Sequence, residues 1–172
     1  HATDSLNFAT AATERMRILS GGGITFNGDT AAANALDDYE EGTFTPVLKY
    51  STTAYSLGGV TRGIYTKIGK LVWFNASINC LNPSASNDAS PVTMEGLPYA
   101  VGSAADYTTH SGRMTYFIES NAWFTPYTIP SSSKIQFFYS SNSAAWGVVN
   151  SRDIYNASYA NDMVITGAYM IA

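Results

Sequence analysis

The chain has 172 residues, enough for one ordinary domain and a small extra piece, and 45% of them are apolar. Only 13% are charged, about half the usual quarter, the balance being made up by Ser, Thr, Asn, Ala, Gly and 12 Tyr. A net charge of −4 without a Lys/Arg cluster argues against nucleic acid, no apolar run of about 18 residues exists to span a membrane, and the single cysteine, Cys80, excludes an intrachain disulfide.

A weakly charged, aromatic surface recognises its partner at short range, by hydrogen bonding and stacking. One cysteine also provides no cysteine metal cluster, and no cofactor or metal is expected. Cys80 lies in an apolar run and reads as a buried structural thiol. The start, His1-Ala2-Thr3-Asp4, has no Met and no signal-peptide core, and reads as a cut fragment of a longer protein.

Residues 1–28 form the first predicted segment. Apolar pairs at period two recur there: Leu6/Phe8, Met16/Ile18 and Ile24/Phe26. Each pair reads as a very short strand. Such strands do not stand alone in water, and neighbouring copies of the chain can cover their edges, as in a threefold shaft closed by cyclic symmetry. Residues 29–42 change character. Asp29 or Thr30 suits an N-cap, and the alanines that follow favour helix. Ala32, Leu36 and Tyr39 then share a face, giving a short helical neck whose seam packs on the threefold axis. The carboxylates of Asp37, Asp38, Glu40 and Glu41 oppose the helix dipole and limit that helix to about two turns.

From residue 43 to 172 the pattern is strand throughout. Predicted strands are Phe44–Lys49, Gly59–Ile68, Leu71–Leu81, Val92–Leu97, Arg113–Glu119, Lys134–Ser140 and Met163–Ile171. Gly69-Lys70 marks a tight hairpin. About seven strands separated by turn clusters predict an all-β, antiparallel β-sandwich or jelly-roll-like head. Leu71-Val72-Trp73-Phe74 is apolar on both faces, so the second face needs a cover from the opposite sheet or from a neighbouring subunit.

Four stretches of this chain resemble the C-terminal domains of bacteriophage tail fibres. Residues 36–46, Leu-Asp-Asp-Tyr-Glu-Glu-Gly-Thr-Phe-Thr-Pro, look like the acidic entry into the head. Residues 63–72, Gly-Ile-Tyr-Thr-Lys-Ile-Gly-Lys-Leu-Val, are similar to the strand–hairpin–strand signature. Gly96-Leu97-Pro98-Tyr99 and the end, residues 164–172, complete the set, and Glu14-Arg15-Met16-Arg17-Ile18 looks like shaft sequence. The resemblance implies a homotrimer at the virion tail-fibre tip that binds a bacterial surface glycan or outer-membrane protein, without catalytic machinery. The same resemblance extends to fibres domesticated by bacteria, which would place it extracellularly or at the cell envelope.

Candidate sites follow from the loops. Exposed aromatic rings beside Asn, Ser and Asp suit a sugar, and aromatics are enriched in interfaces generally. A simple up-and-down meander turns loops 50–58, 82–91 and 120–133 away from the shaft, which selects Tyr55, Asn87, Asp88, Trp123 and Tyr127. Trp146 and Tyr155 lie in the Ser/Asn-rich segment 141–162. Three identical sites on a trimer gain by avidity. The acidic run 37–41 matches no calcium loop and reads as a solvated neck. His110 with Ser111 and Asp106 lacks a nucleophile elbow, and Glu119 with Asp153 is the pair a glycoside-cleaving enzyme would need. Two alternatives to the adhesive tip therefore stand: a surface-polysaccharide depolymerase, and a structural fibre segment without its own ligand.

Overall fold

Strands form where period-two alternation is strongest. A computed structural model describes residues 4–80, 89–103, 108–115, 123–140, 146–153 and 161–172. The chain divides into two compact units, His1–Glu40 with Lys67–Gly69, and Glu41–Thr66 with Lys70–Ala172. Asn87, Asp88 and Tyr155 lie outside the described residues, as do Asp106 and Glu119.

In the first unit, β1 (Leu6–Thr10), β2 (Thr13–Ile18) and β3 (Ile24–Phe26) form one antiparallel sheet in that order. Register pairs Leu6 with Ile18, Phe8 with Met16, Met16 with Phe26 and Ile18 with Ile24. Directly opposed residues point to the same side of a sheet. All six large apolar side chains therefore share one face, and Asn7, Arg17 and Thr25 take the other. Only β2 is paired on both sides along its length; β1 stands at an edge, and β3 gains one bridge, Ile24 to Leu36. The strands also leave a face uncovered: Leu6, Phe8, Ile18 and Phe26 are exposed.

The expected helical neck is absent. Asp29 accepts hydrogen bonds from the Ala31 backbone N–H at 2.8 Å and from Asn34 Nδ2 at 2.7 Å, closing a turn. Only Ala32–Asn34 coils, as a single 3-10 turn. Leu36 then pairs with Ile24 through two backbone hydrogen bonds, Leu36 N–H to the Ile24 carbonyl at 2.8 Å and the reverse at 3.0 Å. Tyr39–Phe44 is strand β4. Ala32, Leu36 and Tyr39 thus occupy a turn, an extended bridge and a strand, and have no common helical seam. Helix propensity lost because strand pairing satisfies the backbone here, and an extended chain has no C-terminal dipole to oppose the carboxylates. Asp38 instead forms an ion pair with the buried Lys67.

The second unit is built on two sheets. One has the order β10 (Ser111–Met114), β14 (Asn161–Met170), β8 (Leu71–Cys80), β7 (Arg62–Ile68), β4. The other runs β11 (Trp123–Ile129), β12 (Lys134–Ser140), β9 (Val92–Glu95), β5 (Val47–Tyr50), β6 (Thr53–Ala54), with β13 (Gly147–Val148) also on β12. Val72, Phe74, Ala76, Ile78, Met163, Ile165 and Tyr169 of the first sheet share one core with Leu48, Val92, Met94, Ile135 and Phe137 of the second. The path from β8 to β11 alternates between sheets at each step, so the chain is not the simple meander assumed in ranking the loops. A loop's position along the chain therefore does not say which end it occupies.

Candidate binding surface

Parts of the stretches that resemble tail-fibre sequence pack together in the head, whereas Leu36 and Tyr39 are exposed and Glu14–Ile18 lies in the leader sheet. A Cβ on Gly42 would lie 2.6 Å from the Tyr65 ring, and one on Gly63 would collide with the Phe44 ring. Each aromatic lies over the glycine of the neighbouring strand, which is how sheets compensate a missing side chain. Tyr65 meets Tyr99 edge-on at 5.8 Å. Tyr169 Oη donates to the Tyr99 carbonyl at 3.1 Å, and burial pushes its phenol up to about 12. Gly96, at φ +93°, passes under the Thr45 carbonyl, 2.7 Å from where a Cβ would stand. These contacts tie parts of the four motifs to one another.

His110 is another packing residue. It is buried against Phe74 at 5.2 Å and occupies the space above Gly167, where a Cβ would run into its Nδ1. Nδ1 has no hydrogen-bond partner among the described residues, and desolvation lowers the imidazole pKa to about 4. A catalytic base needs reach to a nucleophile and an orienting partner; His110 instead reaches Thr108 Oγ1 at 3.4 Å. Asp153 spends its carboxylate locally, accepting from the Asn150 backbone N–H at 2.8 Å. No group of three or more His, Cys, Asp or Glu able to hold a metal exists among the described residues.

The aromatic candidates separate sharply. Tyr55 is only 6% exposed. The β5–β6 hairpin turns it inward, its ring lies 4.9 Å from Tyr50, and its hydroxyl donates to Ser151 Oγ at 2.9 Å. It is a core residue and leaves the list of receptor contacts. Tyr127 is half-buried in β11, its ring tilted against Phe138 at 4.7 Å, with its hydroxyl on Gln136 Oε1. Segment 123–129, expected as a loop because of Pro126 and Pro130, is a strand at a sheet edge, where a residue without an N–H is tolerated. Trp123 and Trp146 remain open, 73% and 67% exposed.

A further surface comes from β8, whose side chains alternate strictly. Val72, Phe74, Ala76 and Ile78 enter the core, so Trp73, Asn75 and Ser77 take the outer face. Trp73 is 44% exposed, with Leu71 and Met170 exposed and paired beside it. The second apolar face of the Leu71–Phe74 run thus stays open among the described residues. Beyond Trp73 lies an open groove of about 220 Å3 lined by Val60, Arg62, Ile64, Asn75 and Ser77. Sequence reading missed it because Trp73 sits in a run that looks like core on both sides.

The backbone arrangement now permits comparison. The fold is shared with part of a tailspike. The crystal structure of the Dettilon tailspike protein superposes with a TM-score of 0.59 over 77% of this chain, at 15% sequence identity. This chain spans 24% of the length of that protein. No family model matches the sequence, and no curated protein does. No helix among the described residues is long and apolar enough to cross a membrane.

Proposed function

We propose that this chain is part of a phage tail fibre or tailspike, that three copies assemble through the apolar face of the β1–β3 sheet, and that the two-sheet head attaches the virion to a bacterial surface receptor. The observation that carries the proposal is the fold likeness to a tailspike over 77% of the chain. The two-faced leader sheet supports assembly. Four exposed large apolar side chains on three short strands need a partner, and identical faces meet naturally about a closed symmetry axis. The residues that resemble tail-fibre sequence support the same assignment from a separate direction. The exposed Trp73, Trp123 and Trp146 support a stacking mode of recognition.

Attachment without cleavage is the preferred form of this function. His110 is spent on packing, and Asp153 on its own loop. The test is adhesion of the labelled chain to a panel of bacterial cells, with the purified surface polysaccharide sized before and after incubation. Saturable adhesion with unchanged polymer length is the expected result. Release of oligosaccharides would replace the adhesin with a depolymerase, and neither adhesion nor release from an intact trimer would leave a structural segment.

A further inference from the structure

We infer that the outer face of the five-stranded sheet carries a saccharide site selective for a carboxylate-bearing sugar, in the groove formed by Val60, Arg62, Ile64, Asn75 and Ser77. It deepens the attachment function proposed above and rests on it.

The groove is small. At about 220 Å3 it falls below the roughly 300–1,000 Å3 typical of drug-sized ligands, and suits a single sugar unit of a longer chain. Its floor is rigid. Asn75 and Ser77 stand on β8, which β14 pins from one side through Thr166 opposite Asn75 and Val164 opposite Ser77. Both side chains are half-buried, and neither has a hydrogen-bond partner among the described residues. An amide and a hydroxyl held in place with unspent donors and acceptors match the alternating hydroxyls of a sugar.

Charge gives the selectivity. Arg17, Lys49, Lys67, Lys134 and Arg152 each face a carboxylate of this chain. Arg62 is exposed at the groove wall and, like Arg15, Lys70 and Arg113, makes no ion pair among the described residues; of these four it alone lines the groove. A guanidinium presents a planar fork of donors that binds a carboxylate through two parallel hydrogen bonds. Val60, 75% exposed, and Ile64 supply the apolar contact for the C–H face of the ring. Trp73 lies two residues before Asn75 on the same face, about 7 Å along the strand. It is placed to stack the next sugar of the chain. A neutral sugar would leave Arg62 without its partner, and a bare carboxylate would leave Asn75, Ser77 and Trp73 without theirs.

The test uses the full chain and three probes: glucuronic-, galacturonic- and sialic-acid oligosaccharides, each with its carboxyl-reduced form, titrated by calorimetry. At least one acidic probe binds, its reduced form binds roughly tenfold or more weakly, and Arg62→Ala loses a similar factor while Arg62→Lys loses less. Asn75→Ala weakens acidic and reduced forms alike. Binding to none of the three acidic probes, or binding unchanged in Arg62→Ala, overturns the inference. So does an Arg62→Ala variant whose sedimentation changes, because the face would then be a contact between copies. Cell adhesion separates the two levels. Adhesion retained in Arg62→Ala, or lost on protease treatment of the cells and kept on periodate oxidation of their glycans, sinks the groove and leaves the attachment function standing. A wild-type chain that binds an acidic probe but adheres to no cell does the reverse.

Discussion

His110 shows how a single residue type misleads when its surroundings are unknown. In the sequence it is the one histidine beyond His1, next to Ser111 and near Asp106. In the fold it plugs the space over Gly167 and leans on Phe74. Desolvation by burial penalises the imidazolium, so the folded pKa falls from 6.5 to about 4. The unfolded chain then takes up a proton on acidification before the folded one does. Stability contributed by neutral His110 is complete above pH 6.5, declines as pH falls, and is gone near pH 4, a change of about 3 kcal/mol. Urea unfolding between pH 7.5 and 4 checks this. His110→Gln should flatten the slope across that window, leaving only the carboxylate contribution at its acid end; an unchanged slope rules out the assignment. Tyr55 makes the same point in reverse. Nothing in a Thr-Thr-Ala-Tyr-Ser loop announces a core residue; the hairpin at Ser51-Thr52 turns it inward.

At the scale of elements, period-two alternation located most strands because it is a local property. Leu6/Phe8, Met16/Ile18 and Ile24/Phe26 fall on β1, β2 and β3, and Lys134–Ser140 is β12 with the expected bounds. The β1–β2 turn was not legible. It places Ala11 and Ala12 at φ 49° and 58°, where Asn-Gly would be the usual signal. β11 was missed because Pro126 suggested a break. Only the strand's place at the edge makes the proline acceptable, and edge position is a long-range fact. Glycines in strands were also opaque. Gly42 and Gly63 look like weak points until the rings of Tyr65 and Phe44 are seen above them. Gly63→Ala should therefore destabilise the head by about 1–3 kcal/mol through overpacking against Phe44. A shifted urea midpoint with an unchanged slope is the expected signature. A variant as stable as the parent would show that the ring moves aside freely.

For the whole molecule, the decisive feature is apolar surface that one chain leaves uncovered. The β1–β3 sheet exposes Leu6, Phe8, Ile18 and Phe26 on one side. Burying a large apolar side chain is worth roughly 1.5–3 kcal/mol, so identical faces gain substantially by meeting. The chain should sediment as a trimer. Phe8→Glu with Phe26→Glu should sediment as a monomer, with the far-UV circular dichroism of the head retained. A double variant that stays trimeric moves the interface elsewhere, with the outer face around Leu71, Trp73 and Met170 the next place to look. By itself the sequence determined the all-β character, the antiparallel hairpins and the low-charge surface, because alternation, turn residues and composition act over a few neighbours. Only the tertiary structure decided which side of each alternation meets the core. It made Tyr55 and His110 interior, replaced the expected helical neck with a turn and a strand, and turned Trp73 outward along with Asn75 and Ser77, which stand beside Arg62. Those outcomes depend on which distant strands pair, and a local pattern carries no record of its partner.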